Sequence, residues 1–265
     1  MRICSIASGS SGNCIYVGDE NTHILIDAGI SKKAIEAGLH QLELDGQDLD
    51  GIFITHEHSD HIKGLGVMAR RYEIPMYGTR ETLNYIKRVS SLGKIPEGLF
   101  REVEPDQDFQ VNSLTLKPFR ISHDAANPVA YRVESGKKSV AVATDLGVYT
   151  DYTVEHLKGL DAILLEANHD IRMLQTGSYP YQLKQRILGK YGHLCNEMSG
   201  QLLDAVLSDK MKRIFLGHLS KENNYPELAY ESVRMEVNMS DSEYRADDFY
   251  MSVAPRSECS ECFEF

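Results

Sequence analysis

Short apolar runs separated by turn residues fill the first part of the chain. Runs of about four to eight apolar residues bounded by Gly, Ser and Asn are typical of β-strands. Three such runs predict a meander of strands, and residues 31–42 then show helical spacing behind Ser31, a residue type that often caps helices. The three runs are RICSIA, NCIYVG and HILIDAG.

The change from strands to helices occurs twice along the sequence. Further strands are predicted at residues 51–54, 109–122, 128–135, 138–145, 161–168, 213–218 and 249–255. Helices are predicted at residues 61–73, 79–93, 179–190, 196–209 and 225–237. Two similar halves predict an α/β protein in which two sheets pack face to face with helices outside. We therefore expect a four-layer αββα sandwich, formed by a single domain over residues 1–265.

Composition and charge restrict the class of protein. A chain of 265 residues with 42% hydrophobic residues can bury a substantial core. The net charge of −11 argues against a broad basic surface, so an anionic substrate would need local positive charge, for which bound metal is the obvious source. The N-terminus matches no secretory signal and no window approaches a membrane span of about 18 apolar residues, so a cytosolic protein without a membrane partner is expected. The oligomeric state stays open, with a homodimer as one option.

The stretch GIFITHEHSDHIKGLG contains the densest group of titratable residues. His56, His58, Asp60 and His61 fall within six positions directly after the apolar strand at residues 51–54. In extended backbone His56 and His58 point the same way, whereas Asp60 and His61 lie where the chain turns into a helix. The motif therefore supplies two half-sites for metal ions.

Other metal-ligand types stand at the ends of predicted strands. His123 follows FRIS, Asp145 follows VAVAT and His218 follows RIFLG, so loops should bring these side chains to a site. Asp27, which closes HILIDAG, is interpreted as a carboxylate that orients metal ligands. Because the set contains no cysteine, zinc, manganese and iron all fit it.

Two segments are candidates for contact with substrate. The loop SGSSGN presents many backbone N–H groups, so Ser10, Ser11 and Asn13 could either contact a phosphate or simply form a tight turn. His193 lies just before a predicted helix and Asn196 begins it. At a helix N-terminus these residues could either contact a phosphate or cap the helix.

Two further residues could face the same site. His169, in EANHD, follows a strand end and is a candidate for substrate binding. Asp124 is a candidate proton donor to the leaving oxygen. For both residues an ordinary structural role is the alternative.

The sequence THEHSDH resembles the HxHxDH motif of the metallo-β-lactamase superfamily, and Asp27, His123, Asp145 and His218 fall where its other motifs would. The segments SIASGSSGNCIYV, LEANHD and GHLSKENN are similar to the YycJ/WalJ family of bacterial metallo-hydrolases. This resemblance implies a 5′-to-3′ exonuclease that acts on double-stranded DNA and is linked to DNA repair.

The resemblance also implies roles for individual residues. One metal would be held by His56, His58 and His123, the other by Asp60, His61 and His218, with Asp145 as the bridge. Asp60 and Asp145 would thereby act in catalysis, with a hydroxide bridging two divalent ions as the nucleophile. His193 and Asp124 are further candidates for catalysis from their positions in the sequence. His58 stands where the di-iron redox branch has Glu, which favours hydrolysis. About 70 residues separate Asp145 from His218, too few for the inserted domain of the β-CASP ribonucleases.

Two other functions stay open at this point. One is hydrolysis of a small phosphodiester or a lactone, which the acidic composition suits equally well. The other is a metal-binding regulatory protein without turnover, against which the complete ligand set argues.

Overall fold

The structure, a computed structural model that describes residues 1–265, contains fourteen strands, nine α-helices and four short 3₁₀-helices. The strands are β1 (Arg2–Ala7), β2 (Cys14–Gly18), β3 (His23–Ile26), β4 (Gly51–Phe53), β5 (Met76–Gly78), β6 (Phe100–Glu102), β7 (Phe109–Val111), β8 (Leu114–Arg120), β9 (Val129–Ser135), β10 (Lys138–Ala143), β11 (Ala162–Glu166), β12 (Arg213–Gly217), β13 (Tyr250–Val253) and β14 (Phe263–Glu264). The helices are α1 (Lys32–Gln41), α2 (Ser59–Ile62), α3 (Leu65–Tyr72), α4 (Arg80–Ile86), α5 (Asp151–Leu157), α6 (Ile171–Thr176), α7 (Tyr181–Leu188), α8 (Asn196–Val206) and α9 (Pro226–Met239). The α/β class predicted from the sequence is confirmed.

The first sheet has seven strands in the order β14-β1-β2-β3-β4-β5-β6. Its first four strands are antiparallel neighbours, and the strands from β3 to β6 are parallel. Because parallel strands end at the same edge of a sheet, β3 and β4 bring the residues that follow them side by side. Asp27 and Thr55 accordingly lie in hydrogen-bond contact there.

The second sheet also has seven strands, in the order β13-β12-β11-β10-β9-β8-β7. The strands from β10 to β13 are parallel and almost entirely apolar, as buried strands are. Their carboxyl ends carry Asp145, Glu166 and His218. The sheet therefore gathers three polar side chains at one edge.

The Cα positions divide the chain into two compact units. The first contains Met1–Arg120, Ala125–Lys138 and Pro255–Phe265, and the second contains Ile121–Asp124 and Ser139–Ala254. In the first, a core of fully buried side chains includes Tyr16, Leu25, Ile35, Ile52 and Met68. In the second, the fully buried side chains include Val142, Leu164, Leu202 and Phe215. The organisation as a single domain stays a prediction.

Several elements differ from those expected. Residues 61–73 divide between α2 and α3 at Gly64, where a Cβ atom would lie 2.2 Å from the carbonyl oxygen of Ile30. Residues 109–122 form two strands joined by a turn in which Asn112 has a φ of 48°. Between Asp145 and His218 the chain forms only α5, β11, α6, α7, α8 and β12, which confirms that the β-CASP insertion is lacking. No helix has the length and apolar character needed to cross a membrane.

Candidate metal centre

The N-terminal histidine cluster consists of His56, His58, Asp60 and His61 and begins three residues after the end of β4. His58 is the N-cap of α2, so His56 and His58 lie on extended chain while Asp60 and His61 lie in the helix. The ring centroid of His56 is 4.6 Å from that of His58 and 4.1 Å from that of His61. Three imidazoles therefore meet in one small volume.

Asp27 and Thr55 hold this cluster in place from the ends of the neighbouring strands. Asp27 Oδ2 lies 2.7 Å from His61 Nδ1 and accepts a hydrogen bond of 2.8 Å from Thr55 Oγ1. Thr55 Oγ1 is in turn 3.0 Å from His56 Nδ1. Because Nδ1 of His61 is engaged with a carboxylate, Nε2 is the nitrogen left to bind a metal. Burial raises the pKa of Asp27, and the contact with His61 opposes that effect.

The C-terminal carboxylate cluster consists of Asp145, Glu166, His193 and His218, whose ligand atoms all lie within 4.8 Å of one another. Asp145 Oδ1 is 3.4 Å from His218 Nε2 and 3.6 Å from His123 Nε2. His123 Nδ1 lies 3.0 Å from the carbonyl oxygen of Gly192, which can only accept, so Nδ1 carries the proton and Nε2 can bind a metal. Asp145 is thus the carboxylate on which these imidazoles converge.

Three of the motif residues have left-handed backbone conformations. Asp27, Asp145 and His218 have φ values of 62°, 63° and 53°. Asp27 and His218 directly follow β3 and β12, and Asp145 follows β10 after one intervening residue. The strained residue therefore changes the chain direction at the strand end. Such conformations cost about 1–3 kcal/mol each and concentrate at functional sites.

Glu166 is the member of the C-terminal cluster that sequence reasoning missed. It is fully buried, and its Oε1 lies 2.7 Å from His193 Nδ1 while its Oε2 accepts from the backbone N–H groups of Leu146 and Leu194. The sequence contains a pattern that could have identified it: Glu166 ends the apolar run of β11, much as Asp145 follows the apolar run of β10. Its carboxylate fixes the ring of His193, which also stacks on His218 at 5.4 Å between centroids.

The loop that contains Ser10, Ser11 and Asn13 lies against the N-terminal histidine cluster. The side-chain nitrogen of Asn13 is 3.1 Å from His61 Nε2, and its backbone N–H donates to the carbonyl oxygen of Asp60 at 2.8 Å. Ser10 and Ser11 are exposed at the tip. Their contact with substrate stays a prediction.

His169 and Asn196 are both buried, and their binding of substrate also stays a prediction. Asn196 exchanges side-chain hydrogen bonds of 3.2 and 2.8 Å with Asn224, so its amide is engaged inside the protein. The cap of α8 is Cys195 and not Asn196. Burial lowers the pKa of His169 to about 4, which keeps its imidazole neutral at physiological pH.

Asp124 forms an ion pair with Arg186. Its Oδ2 accepts from Arg186 Nε, and its Oδ1 accepts from Arg186 Nη2 at 3.0 Å. One of its oxygens is also 3.5 Å from His123 Nε2. A guanidinium that contacts both carboxylate oxygens favours the ionised form. A role as proton donor therefore has to compete with this ion pair.

The donor set of both clusters fits a divalent metal. It consists of imidazoles and carboxylates that are largely buried. Buried carboxylates need nearby positive charge to offset the free energy lost when they leave water. Imidazole and carboxylate ligands suit zinc, manganese and iron.

Comparisons with known proteins identify the family of this chain. Residues 22–218 match the family model described as "Beta-lactamase superfamily domain". Exodeoxyribonuclease YycJ of Bacillus anthracis is 43% identical over 238 residues, which are 88% of this chain and 88% of that protein. Exodeoxyribonuclease WalJ of Streptococcus pneumoniae serotype 2 is 39% identical over 236 residues, 89% of this chain and 88% of that protein.

The fold is also similar to that of a solved structure. The crystal structure of the metallo-beta-lactamase fold protein YhfI from Bacillus subtilis covers 98% of both chains with a TM-score of 0.68 at 14% identity. Together with the two mixed sheets and their helices, this confirms the predicted metallo-β-lactamase fold. The chain therefore belongs to the beta-lactamase superfamily and, within it, to the YycJ/WalJ-like metallo-hydrolases.

Proposed function

We propose that the protein is a metal-dependent exodeoxyribonuclease that digests double-stranded DNA from the 5′ end. The observation that carries the proposal is the convergence of two imidazoles on the buried Asp145 carboxylate, whose Oδ1 lies 3.4 Å from His218 Nε2 and 3.6 Å from His123 Nε2. The relatives named exodeoxyribonuclease, similar over 88–89% of this chain, support DNA as the substrate.

The assignment of ligands to two ions follows the superfamily pattern. His56, His58 and His123 would hold one ion, Asp60, His61 and His218 the other, and Asp145 would bridge them. Divalent ions bound there supply Lewis acidity toward the phosphodiester and bring the pKa of water toward about 7. Zinc, manganese and iron all remain candidates, and the five free cysteines agree with a cytosolic protein.

We assign proton transfer to His193 because its environment is built for it. The Glu166 carboxylate accepts from Nδ1 at 2.7 Å, so the second proton of a protonated His193 would lie on Nε2. That proton can be given to the oxygen that leaves when the phosphodiester breaks. His193 is also partly accessible, with 18% of its side-chain surface exposed, whereas Glu166 has none.

Asp124 receives a different role in this proposal. Both of its carboxylate oxygens accept hydrogen bonds from the Arg186 guanidinium, so we assign it a structural role and not that of an acid. The same ion pair joins the loop of His123 to α7. Asp124 and Arg186 therefore fix the position of a metal ligand.

The experiment compares two substrates and two variants. Metal-loaded protein is incubated with Mn²⁺ or Zn²⁺ on duplex DNA labelled at the 5′ end and on bis(p-nitrophenyl) phosphate. We expect nucleotide release from the labelled end, and we expect His193→Ala to lose it while keeping its metals. His40→Ala, a histidine with 64% of its side chain exposed on α1, is the matched control and should behave as wild type. Hydrolysis of the chromogenic diester without hydrolysis of DNA would instead support a small-molecule phosphodiesterase.

A further inference from the structure

Tyr191 is a large aromatic side chain that remains half exposed beside the C-terminal carboxylate cluster. Its exposed fraction is 51%, and it precedes His193 by two residues. A tyrosine ring combines a large apolar face with a polar tip, so an exposed one next to a site can contact a ligand bound there.

The backbone around Tyr191 is held firmly. The Tyr191 carbonyl accepts from the backbone N–H of Asp124 at 3.2 Å, and the Lys190 carbonyl accepts from Ser122 Oγ at 2.6 Å. Gly192 packs so closely that a Cβ atom there would lie 2.0 Å from the carbonyl oxygen of Ile187. The turn that carries Tyr191 is therefore joined to the loop of His123 on one side and to the end of α7 on the other.

A cation accompanies the ring. Lys190 Nζ lies 4.7 Å from the centroid of the Tyr191 ring, within the range of a cation–π interaction. The other basic side chains of this region are engaged with protein groups: Arg186 pairs with Asp124, and Lys184 donates to the carbonyl oxygens of Gln175 and Gly177. Because Lys190 lies over one face of the ring, a base can stack only on the other face. Proteins commonly combine an aromatic ring with a basic side chain to bind a base and its phosphate.

We propose that Tyr191 is a stacking platform for the terminal base of the DNA, and that Lys190 contacts the adjoining phosphate. The proposal rests on the function proposed above and names a binding site for the same substrate. It explains how an acidic protein can position a DNA end without a broad basic surface, because stacking needs no net positive charge. Tyrosine stacks on any base, so the site would tolerate every terminal sequence.

The experiment pairs variants of Tyr191 with DNA ends that lack the base. Loss of one stacking contact should raise the KM for duplex DNA about 5- to 150-fold in Tyr191→Ala, with kcat changed little. Tyr191→Phe and Tyr191→Trp should retain the wild-type KM because their rings still stack, whereas Tyr191→Leu should not. Tyr181→Ala is the matched control, since Tyr181 is 75% exposed at the far end of α7 and should have no effect.

The abasic substrate isolates the contact from any structural effect. Wild type should show the same rise in KM on duplexes whose terminal nucleotide lacks its base, and Tyr191→Ala should show no further rise. Because the chain contains no tryptophan, Tyr191→Trp would supply the sole one, and its emission should be quenched by phosphorothioate-ended DNA. The Tyr181→Ala control should match wild type on bis(p-nitrophenyl) phosphate as well as on DNA.

Failure of this proposal can be distinguished from failure of the proposed function. If wild type releases no nucleotides from DNA, the proposed function is wrong. Two outcomes with an active wild type would show that Tyr191 is not a stacking platform: an unchanged KM in Tyr191→Ala, or the full rise in KM on base-free ends in that variant. Neither outcome affects the exonuclease assignment.

Discussion

Replacing Glu166 with glutamine tests whether the buried carboxylate sets the chemistry of His193. The side chain is fully buried and makes three hydrogen bonds, at 2.7 Å to His193 Nδ1, 2.8 Å to Leu146 N and 3.3 Å to Leu194 N. All three partners are donors, so the glutamine NH₂ group must face at least one of them. The variant therefore keeps the shape of Glu166 and loses both its charge and part of its hydrogen bonding.

The size of the effect follows from these contacts. A hydrogen bond to a charged group is worth about 1.5–3 kcal/mol, so the free energy of unfolding should fall by about 2–3 kcal/mol. Proton transfer by a positioned side chain contributes about 10²- to 10⁴-fold to the rate, and partial loss of it should lower kcat about 100-fold. KM should stay near wild type because Glu166 is inaccessible to DNA.

The assay measures kcat and KM on 5′-labelled duplex DNA, metal content by mass spectrometry and unfolding in urea. Metal content should be unchanged, since protein donors already occupy both oxygens of Glu166. The matched control is Glu155→Gln on α5, an exposed glutamate paired with Lys158. A variant with normal kcat, or one whose activity is restored by added metal alone, would refute the role assigned to the Glu166 and His193 pair.

Three further predictions concern metal binding, pH and salt. Asp145→Ala should lose metal from one or both positions and nearly all hydrolysis; near-normal activity with full metal content would contradict the bridging role. Because burial lowers the pKa of His169 to about 4, only the unfolded chain takes up a proton as pH falls from about 6.5 toward 4, so stability is lost in that window. Urea unfolding should show wild type losing about 2 kcal/mol more than His169→Gln between pH 7.5 and 5; equal losses would show that His169 is not the cause. The slope of log affinity for DNA against log salt should correspond to only about 2–4 phosphates at about 0.9 each, and Lys190→Ala should lower it by about one phosphate. A slope implying eight or more phosphates would reveal a basic surface that has not been identified.

The parts of the structure that sequence predicts best are those in which a strand ends in a polar residue. Apolar runs locate β4, β10 and β12, and the motif residues that follow them occupy the sheet edges as expected. Short elements such as β5, β6, α6 and β14 were not predicted, because a few residues carry too little periodicity to stand out.

Other features of the site depend on contacts that a linear pattern does not contain. The left-handed conformations of Asp27, Asp145 and His218 are imposed by the surrounding structure. The burial of Asn196 against Asn224 and the pairing of Asp124 with Arg186 join residues far apart in sequence. Polarity and position after a strand cannot distinguish such structural partners from groups that contact substrate.

The central claim is that metal ions held by the two clusters hydrolyse DNA from its end, and the most direct measurement is metal-dependent nucleotide release. Protein stripped with a chelator and then dialysed is added to duplex DNA labelled at the 5′ end, and Mn²⁺ or Zn²⁺ is titrated back. The account predicts no release from the stripped protein and full release once two ions per chain have been restored. Nucleotide release at the full rate by protein shown to be free of metal would contradict it.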